Sequence, residues 1–334
     1  LVGSEMCIRD RYYHDQFLFD VRILFFFTII FIGCFIFSLK TIAQQEFSFS
    51  QYMFSHQTVN PAYAGSKKVG NFTALHRSQW VGFEGSPLTQ SFTFNGPFNS
   101  KNLGFGISAV NDKIGPILNT SANFDLSYHL RLNEADTRLS VGLKFGLHNY
   151  NLNTDLINTI EPSDQTFIMD KKMNILPNIG FGLYLYSMKW YFGVSIPKMI
   201  KNDIYNMSTH GYMLSGALFN IAPDWEVKPS LFIKYSPGSP LGYDISSLIV
   251  YKETFWLGPQ LRTTIDSPIP DAQFGGGFGV IAGLNINKNI SIGYSYGSSM
   301  GITSLGFNYG THEVMLRYEL TPKVIGLLRS PRIF

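Results

Sequence analysis

The chain is most informative in what it has little of. It contains two cysteines, Cys7 and Cys34, in 334 residues. Both lie near the start, so the long remainder has no disulfide framework, no thiol nucleophile and no thiolate metal site. Charge is scarce too. Only 15% of residues are Asp, Glu, Lys or Arg, against about 25% in an ordinary soluble domain. The net charge is +3, and no basic run with interleaved aromatics stands out, which argues against a nucleic-acid partner. The histidines are scattered, and none makes an i, i+4 pair on a helix. His129 and His148 sit beside Asp125 and Lys144 on neighbouring segments, which suits a hydrogen-bond network better than a metal site.

Long apolar runs are also missing, with one exception. Arg22 precedes an uninterrupted apolar stretch from Ile23 to Leu39, and small residues follow near Ala43. That order of positive charge, apolar core and small residues predicts a secretory signal peptide over residues 12–43, cleaved near Ala43. The run is marginal for a spanning helix, and a retained helical anchor is the alternative. A lipoprotein reading at Cys34 is weak, because FIG before it makes a poor lipobox. Residues 1–11, LVGSEMCIRDR, resemble a translated sequencing adapter and are set apart from the fold, with the native start expected to be missing.

What remains is rich in aromatics, with 29 Phe and 18 Tyr, and in glycine, with 31. Its organising pattern has a period of two. Leu139, Val141, Leu143, Phe145 and Leu147 alternate with Ser140, Gly142, Lys144, Gly146 and His148. Ala122, Phe124, Leu126, Tyr128 and Leu130 alternate with Ser121, Asn123, Asp125, Ser127, His129 and Arg131. Trp225, Val227, Leu231, Ile233 and Tyr235 oppose Glu226, Lys228, Ser230 and Lys234. Such alternation is a strand with unlike surroundings on its two faces. A soluble sandwich would turn a Lys-, Glu- and Thr-rich face to water. Here the second face is mostly Gly and Ser with scattered charges of both signs, and the apolar face carries aromatics near strand ends. That pattern predicts lipid outside and a polar interior. In hydrocarbon every backbone N–H and C=O needs an internal partner, so the sheet must close on itself.

The expected fold is therefore all-β, a transmembrane antiparallel β-barrel of about 14 strands between residues 70–79 and 311–320. The connections fall into two sets. The generally longer ones are 80–88, 112–119, 149–175, 197–210, 236–240, 264–272 and 298–310. The shorter ones are 96–102, 132–136, 187–188, 221–224, 252–253 and 286–288. Long external loops and short periplasmic turns put both ends of the barrel, residues 70–334 with a short tail, on the periplasmic side. Residues 44–69 precede the first strand, and they are expected to plug the lumen or cap its periplasmic mouth. The acidic, Asn- and Thr-rich loop within 149–175 is a candidate surface for a partner.

Two enzyme-like motifs need a context that this pattern denies. GYSYG, residues 293–297, fits G-x-S-x-G, but a nucleophile elbow needs a strand ending at Ser295 and a helix just after it. The alternation of Ile290, Ile292, Tyr294 and Tyr296 instead runs through the serine. Gly277–Ala282 fits G-x-G-x-x-A, which needs a helix after it. It too lies in an alternating stretch. No catalytic residue, cofactor or metal is assigned.

Several stretches resemble the PorP/SprF family of outer-membrane proteins of the type IX secretion system. They are SQYMFSHQTVNPAYAGS with Asn60, Pro61, Ala62 and Gly65; HRSQWVGFEGSPLTQSF with Arg77, Gln79, Trp80, Pro87 and Thr89; AVNDKIGP; DLSYHLRL followed by LSVGLKFG; EVKPSLFIKY; GTHEVMLRY with His312 and Glu313; and SPRIF. The resemblance spans residues 44–334. It implies a non-enzymatic component that scaffolds export or surface attachment of large adhesins or other cargo, in gliding bacteria the motility adhesin. Implied partners are outer-membrane lipid, a cargo C-terminal domain and periplasmic components of the machine. Asn60 and Pro61 would set a turn, Arg77 would pair with a lumen carboxylate such as Asp125, and His312 and Glu313 would open the last strand. A solute channel or transporter barrel and an outer-membrane hydrolase are the alternatives.

Overall fold

The computed structural model describes residues 46–98, 102–133, 137–153, 175–201, 209–237, 239–265, 277–299 and 310–320. The expected signal peptide, most of the loop within 149–175 and the SPRIF tail lie outside them. No described helix is long and apolar enough to cross a membrane.

The strands are β1 (Asn71–Ser78), β2 (Leu88–Pro97), β3 (Leu103–Ile114), β4 (Ile117–Arg131), β5 (Arg138–Leu152), β6 (Leu176–Tyr186), β7 (Trp190–Ile196) and β8 (Gly211–Ala217). They continue with β9 (Phe219–Ala222), β10 (Trp225–Tyr235), β11 (Leu241–Tyr251), β12 (Phe255–Ile265), β13 (Gly277–Asn285), β14 (Ile290–Ser299) and β15 (Thr311–Glu319). Each pairs antiparallel with its neighbour. The ring closes where β1 lies against β15, with Asn71 opposite Glu319 and Ser78 opposite His312. β8 and β9 both pair with β10 and are two pieces of one strand interrupted at Leu218, so the fifteen segments make a fourteen-stranded barrel. Closure leaves no edge, which is what a sheet in hydrocarbon requires.

Burial inverts the rule for a soluble protein. On β4, Phe124, Leu126, Tyr128 and Leu130 are 41–45% exposed, while Asp125, Ser127 and His129 between them are at most 3% exposed. The apolar parity faces lipid and the polar parity faces the lumen, as the sequence pattern predicts. Trp190, Trp225, Tyr251 and Phe255 stand exposed near strand ends, where amphipathic rings suit the membrane boundary.

The barrel has two rims. Connections 79–87, 115–116, 153–175, 197–210, 236–240, 266–276 and 300–310 join strands at one; 98–102, 132–137, 187–189, 223–224, 252–254 and 286–289 join them at the other. β1 begins and β15 ends at the short-turn rim. One expectation needs correcting. The connection read as 112–119 is the two-residue turn Gly115–Pro116, and β3 and β4 run on to either side of it. Gly115 takes φ +54°, which a tight hairpin demands and glycine gives freely. Asn111, Asp112, Asn119 and Thr120 are polar and look like loop, yet they pair along the ladder, Asn111 opposite Thr120.

Candidate functional site: a lumen threaded by the amino-terminal segment

The lumen is full. Residues 46–68 run through it as an irregular chain with three short turns: a 3₁₀ turn Tyr52–Phe54, one α-turn α1 (His56–Val59) and a 3₁₀ turn Pro61–Tyr63. A segment with so little regular structure leaves its backbone groups without ladder partners, and a buried N–H or C=O needs one. The barrel's polar face supplies them. Glu313 accepts from the N–H groups of Ser50 and Gln51, both at 2.8 Å. Gln260 donates to Ser50 O at 2.9 Å, Arg317 Nη2 to Phe54 O at 2.9 Å and Lys144 Nζ to Gln57 O at 3.2 Å. Ser195 donates to Val59 O at 2.8 Å, and Ser127 to Ala64 O at 2.5 Å.

Several charges inside the lumen are paired. Lys144 lies 3.0 Å from Asp125, which also accepts from Gln57 at 3.1 Å. Arg262 grips Asp244 with two nitrogens at 3.1 and 3.0 Å, and Lys234 reaches the same carboxylate at 2.9 Å. Lys67 meets Glu319 at 2.6 Å. Burying such groups costs several kcal/mol per ion unless each finds a partner, so the ion pairs hold these side chains in one arrangement.

The segment also titrates unlike free chain. Burial alone would raise the Glu46 carboxyl, but Lys198 and His210 beside it bring it down to about 2. His56 packs between Tyr63 and Tyr191, with ring centres 5.0 and 4.6 Å away. Burial and Arg317 pull Lys67 down to about 8 against the pull of Glu319.

Glycine on the lumen face now has a cause. A methyl group on Gly142 would stand 2.5 Å from Ala62 Cα, and one on Gly106 would stand 2.9 Å from Gln57 Cδ. The small residues clear the path of the plug. Curvature alone would not demand them at these heights.

The residues singled out in the sequence separate into three places. Asn60, Pro61 and Gly65 belong to the plug. Asn60 is fully buried; its Oδ1 accepts from Ala62 N at 3.0 Å, its Nδ2 donates to Leu183 O at 3.0 Å, and Pro61 opens the turn that follows. Gly65 takes φ +74°, and a Cβ there would stand 2.6 Å from Gly104 Cα. Arg77 and Glu313 face each other in register across β1 and β15, inside the lumen near the long-loop rim. The expected pairing of Arg77 with Asp125 is corrected: Asp125 belongs to Lys144, on the neighbouring strand at the same level. Trp80 and His312 lie elsewhere. Trp80 is 41% exposed in the β1–β2 loop and holds φ +49°, an uncommon posture for a bulky side chain. His312 shares β15 with Glu313 but takes the opposite face, its Nδ1 2.7 Å from Tyr294 Oη on the outer surface.

Neither enzyme-like motif has its required backbone. GYSYG lies inside β14, with Ser295 buried opposite Glu313 and the strand continuing to Ser299. Gly277–Ala282 lies inside β13. No group of three or more His, Cys, Asp or Glu that could hold a metal exists among the described residues.

Sequence reasoning missed the residues that do most of the gripping, Gln51, Gln57, Gln260 and Ser195. A lone Gln or Ser on a strand face carries no signal. The available clue was the density of glycine on that face.

A model of the family described as type IX secretion system membrane protein PorP/SprF matches residues 41–318. Among curated proteins none matches. Solved structures that resemble the chain include the Acinetobacter baumannii outer membrane protein Omp33, at 9% identity and a TM-score of 0.45, covering 76% of this chain and 100% of that one. CdiB from Acinetobacter baumannii gives 12% identity and a TM-score of 0.44, over 76% of this chain and 60% of that one. The KdgM porin in complex with disordered oligogalacturonate gives 9% and 0.36, over 75% and 99%. These likenesses are too distant to carry any argument about function.

Proposed function

Since this chain belongs to the PorP/SprF family of type IX secretion system membrane proteins, we propose that it is a plugged scaffold in the outer membrane. It helps to export large adhesins or other cargo, or to hold them at the surface, and it works by binding without chemistry. The observation that carries this reading is the filled lumen, tied to the barrel wall from rim to rim by hydrogen bonds to plug backbone. A pore for solutes needs open cross-section, and here ordered protein occupies it.

The same proposal includes a signal peptide within 12–43 removed near Ala43, the short-turn rim in the periplasm, and the long-loop rim outside. It also includes contact with a cargo C-terminal domain on one side and periplasmic machine components on the other. Asn60, Pro61, Gly65 and Arg77 act through the plug and the lumen wall. Trp80, exposed on a loop, is the one among the motif residues open to a partner.

The test is a deletion strain scored for adhesins in the medium, in the periplasm and on the cell surface. Loss of surface display supports the scaffold, and normal display overturns it. Reconstitution in planar bilayers separates the scaffold from the channel alternative: the intact protein is expected to be silent, and steady conductance would favour a channel.

A further inference from the structure

The heights at which the plug touches the barrel follow its sequence. Glu46 pairs with Lys198, just beyond the end of β7, and accepts from Tyr212, the second residue of β8, at 2.8 Å. Both are at the long-loop rim. Ser48 then meets Lys234 at 3.3 Å, one residue from the end of β10 at that rim. Ser50 and Gln51 meet Glu313 in the upper part of β15, and Phe54 meets Arg317 lower on the same strand. Ala64 meets His129 near the short-turn end of β4, at 2.9 Å. Lys67 meets Glu319, the last residue of β15. The segment therefore enters at one mouth and leaves at the other, directly into β1.

We propose that the plug is threaded through the barrel, so that its amino-terminal end is presented at the long-loop mouth, opposite the rim where β1 begins and β15 ends. The sequence predicts that this segment plugs the lumen or caps the mouth where β1 begins. The hydrogen bonds and ion pairs named above carry its amino-terminal end through to the other mouth. The consequence for the machine is concrete. Any group joined to the amino-terminal end of the plug is offered on the face of the long loops, and a partner confined to the short-turn side cannot reach it. Naming that face as the cell exterior rests on the proposed orientation; the threading does not.

Single cysteines test this in a background with Cys7 and Cys34 replaced by Ser. Glu46→Cys reports the plug end, Glu84→Cys the β1–β2 loop at the long-loop rim, and Asp224→Cys the β9–β10 turn at the short-turn rim. Each variant is treated with a membrane-impermeant maleimide on intact cells and after outer-membrane permeabilisation. Threading predicts that Glu46→Cys labels together with Glu84→Cys, and the proposed orientation adds that both label on intact cells. Labelling of Glu46→Cys together with Asp224→Cys instead overturns it. If Glu46→Cys and Glu84→Cys label together only after permeabilisation while Asp224→Cys labels on intact cells, threading stands and the proposed orientation falls. If Glu46→Cys is unreactive in both conditions, a short epitope inserted between Gln45 and Glu46 is scored on the same two faces. An epitope that appears with the short-turn rim, or that prevents barrel assembly, also overturns the proposal.

Discussion

The two halves of the lumen wall hold the same plug by different physics. On β1–β5 the inward side chains include Asn71, Thr73, Thr89, Thr93, Asn95, Ser108, Asp125, Ser127 and Lys144, all buried and polar, with Leu75 and Val110 as apolar exceptions. From β6 round to β15 they include Tyr184, Tyr191, Leu214, Phe232, Leu248, Val250, Trp256, Ile281 and Met315, which pack with Phe49, Tyr52, Met53, Phe54 and Tyr63 of the plug. The first wall meets the plug through polar groups, with Ser127 on Ala64 O and Lys144 on Gln57 O. The second also bonds plug backbone, through Ser195, Gln260, Glu313 and Arg317, and adds the packing of apolar and aromatic side chains. Tyr52 lies against Phe232 with ring centres 5.1 Å apart, and Phe54 against Trp256 at 5.3 Å. A plug with its aromatic rings on one flank fits in a single orientation, because turning it would set those rings against the buried amides and charges of the other wall.

That contrast can be broken at both walls together. Deleting residues 46–68 removes what both grip, and gives the largest effect: silent barrels become steadily conducting in planar bilayers, with a lowered unfolding temperature. Conduction that stays absent after the deletion would mean that something other than the plug closes the lumen.

Next comes the polar wall. Asp125→Ala leaves Lys144 buried without its carboxylate and takes one of three acceptors from Gln57 Nε2, and breaking such a pair costs about 3–5 kcal/mol. The double variant Asp125→Ala, Lys144→Ala is expected to recover part of that loss, because the stranded charge is gone. Unfolding midpoints of the two variants in detergent check this; equal midpoints would deny that mismatch dominates this wall.

The aromatic wall should behave in the opposite manner. Phe232→Ala empties a site that is 1% exposed, with a loss of about 3–5 kcal/mol. Pairing it with Tyr52→Ala, across the contact, deepens the cavity and recovers nothing. A rescue in that double variant would contradict the packing account.

The smallest effect is at the plug's amino-terminal latch. The folded Glu46 carboxyl is depressed from its ordinary 4.5 to about 2. A depressed carboxyl stabilises the folded form above its unfolded value, and the stabilisation disappears as pH falls through the folded one. Protease resistance of the plug end is thus expected to hold from neutral pH down to about 4.5 and to weaken between there and about 2. Glu46→Gln should lack that step. A step of equal size in the variant would assign the titration to another group.

Much of the barrel is legible in sequence because a strand in lipid has few options. On β4 and β5 the polar and apolar parities are clean, and strand existence, pairing and closure all follow from them. The strand count follows for the same reason. On β10 and β11 the pattern blurs. Phe232, Leu248 and Val250 occupy the inward parity, so both faces of these strands are apolar there. Period alone cannot say that one apolar face meets lipid and the other meets the rings of the plug. The Gly115–Pro116 turn was hidden likewise, since its flanking Asn, Asp and Thr residues read as loop until their cross-strand partners are known.

The sequence by itself determined that this chain closes into a membrane barrel, because alternating apolar and small or polar side chains leave a sheet in hydrocarbon no other way to pair its backbone. Only the tertiary structure decided what fills that barrel and in which direction the filling runs. The plug has no period to read, and its path is set by contacts such as Ser50 with Glu313 and Lys67 with Glu319, between residues far apart in the chain that meet only once the ring has closed around them.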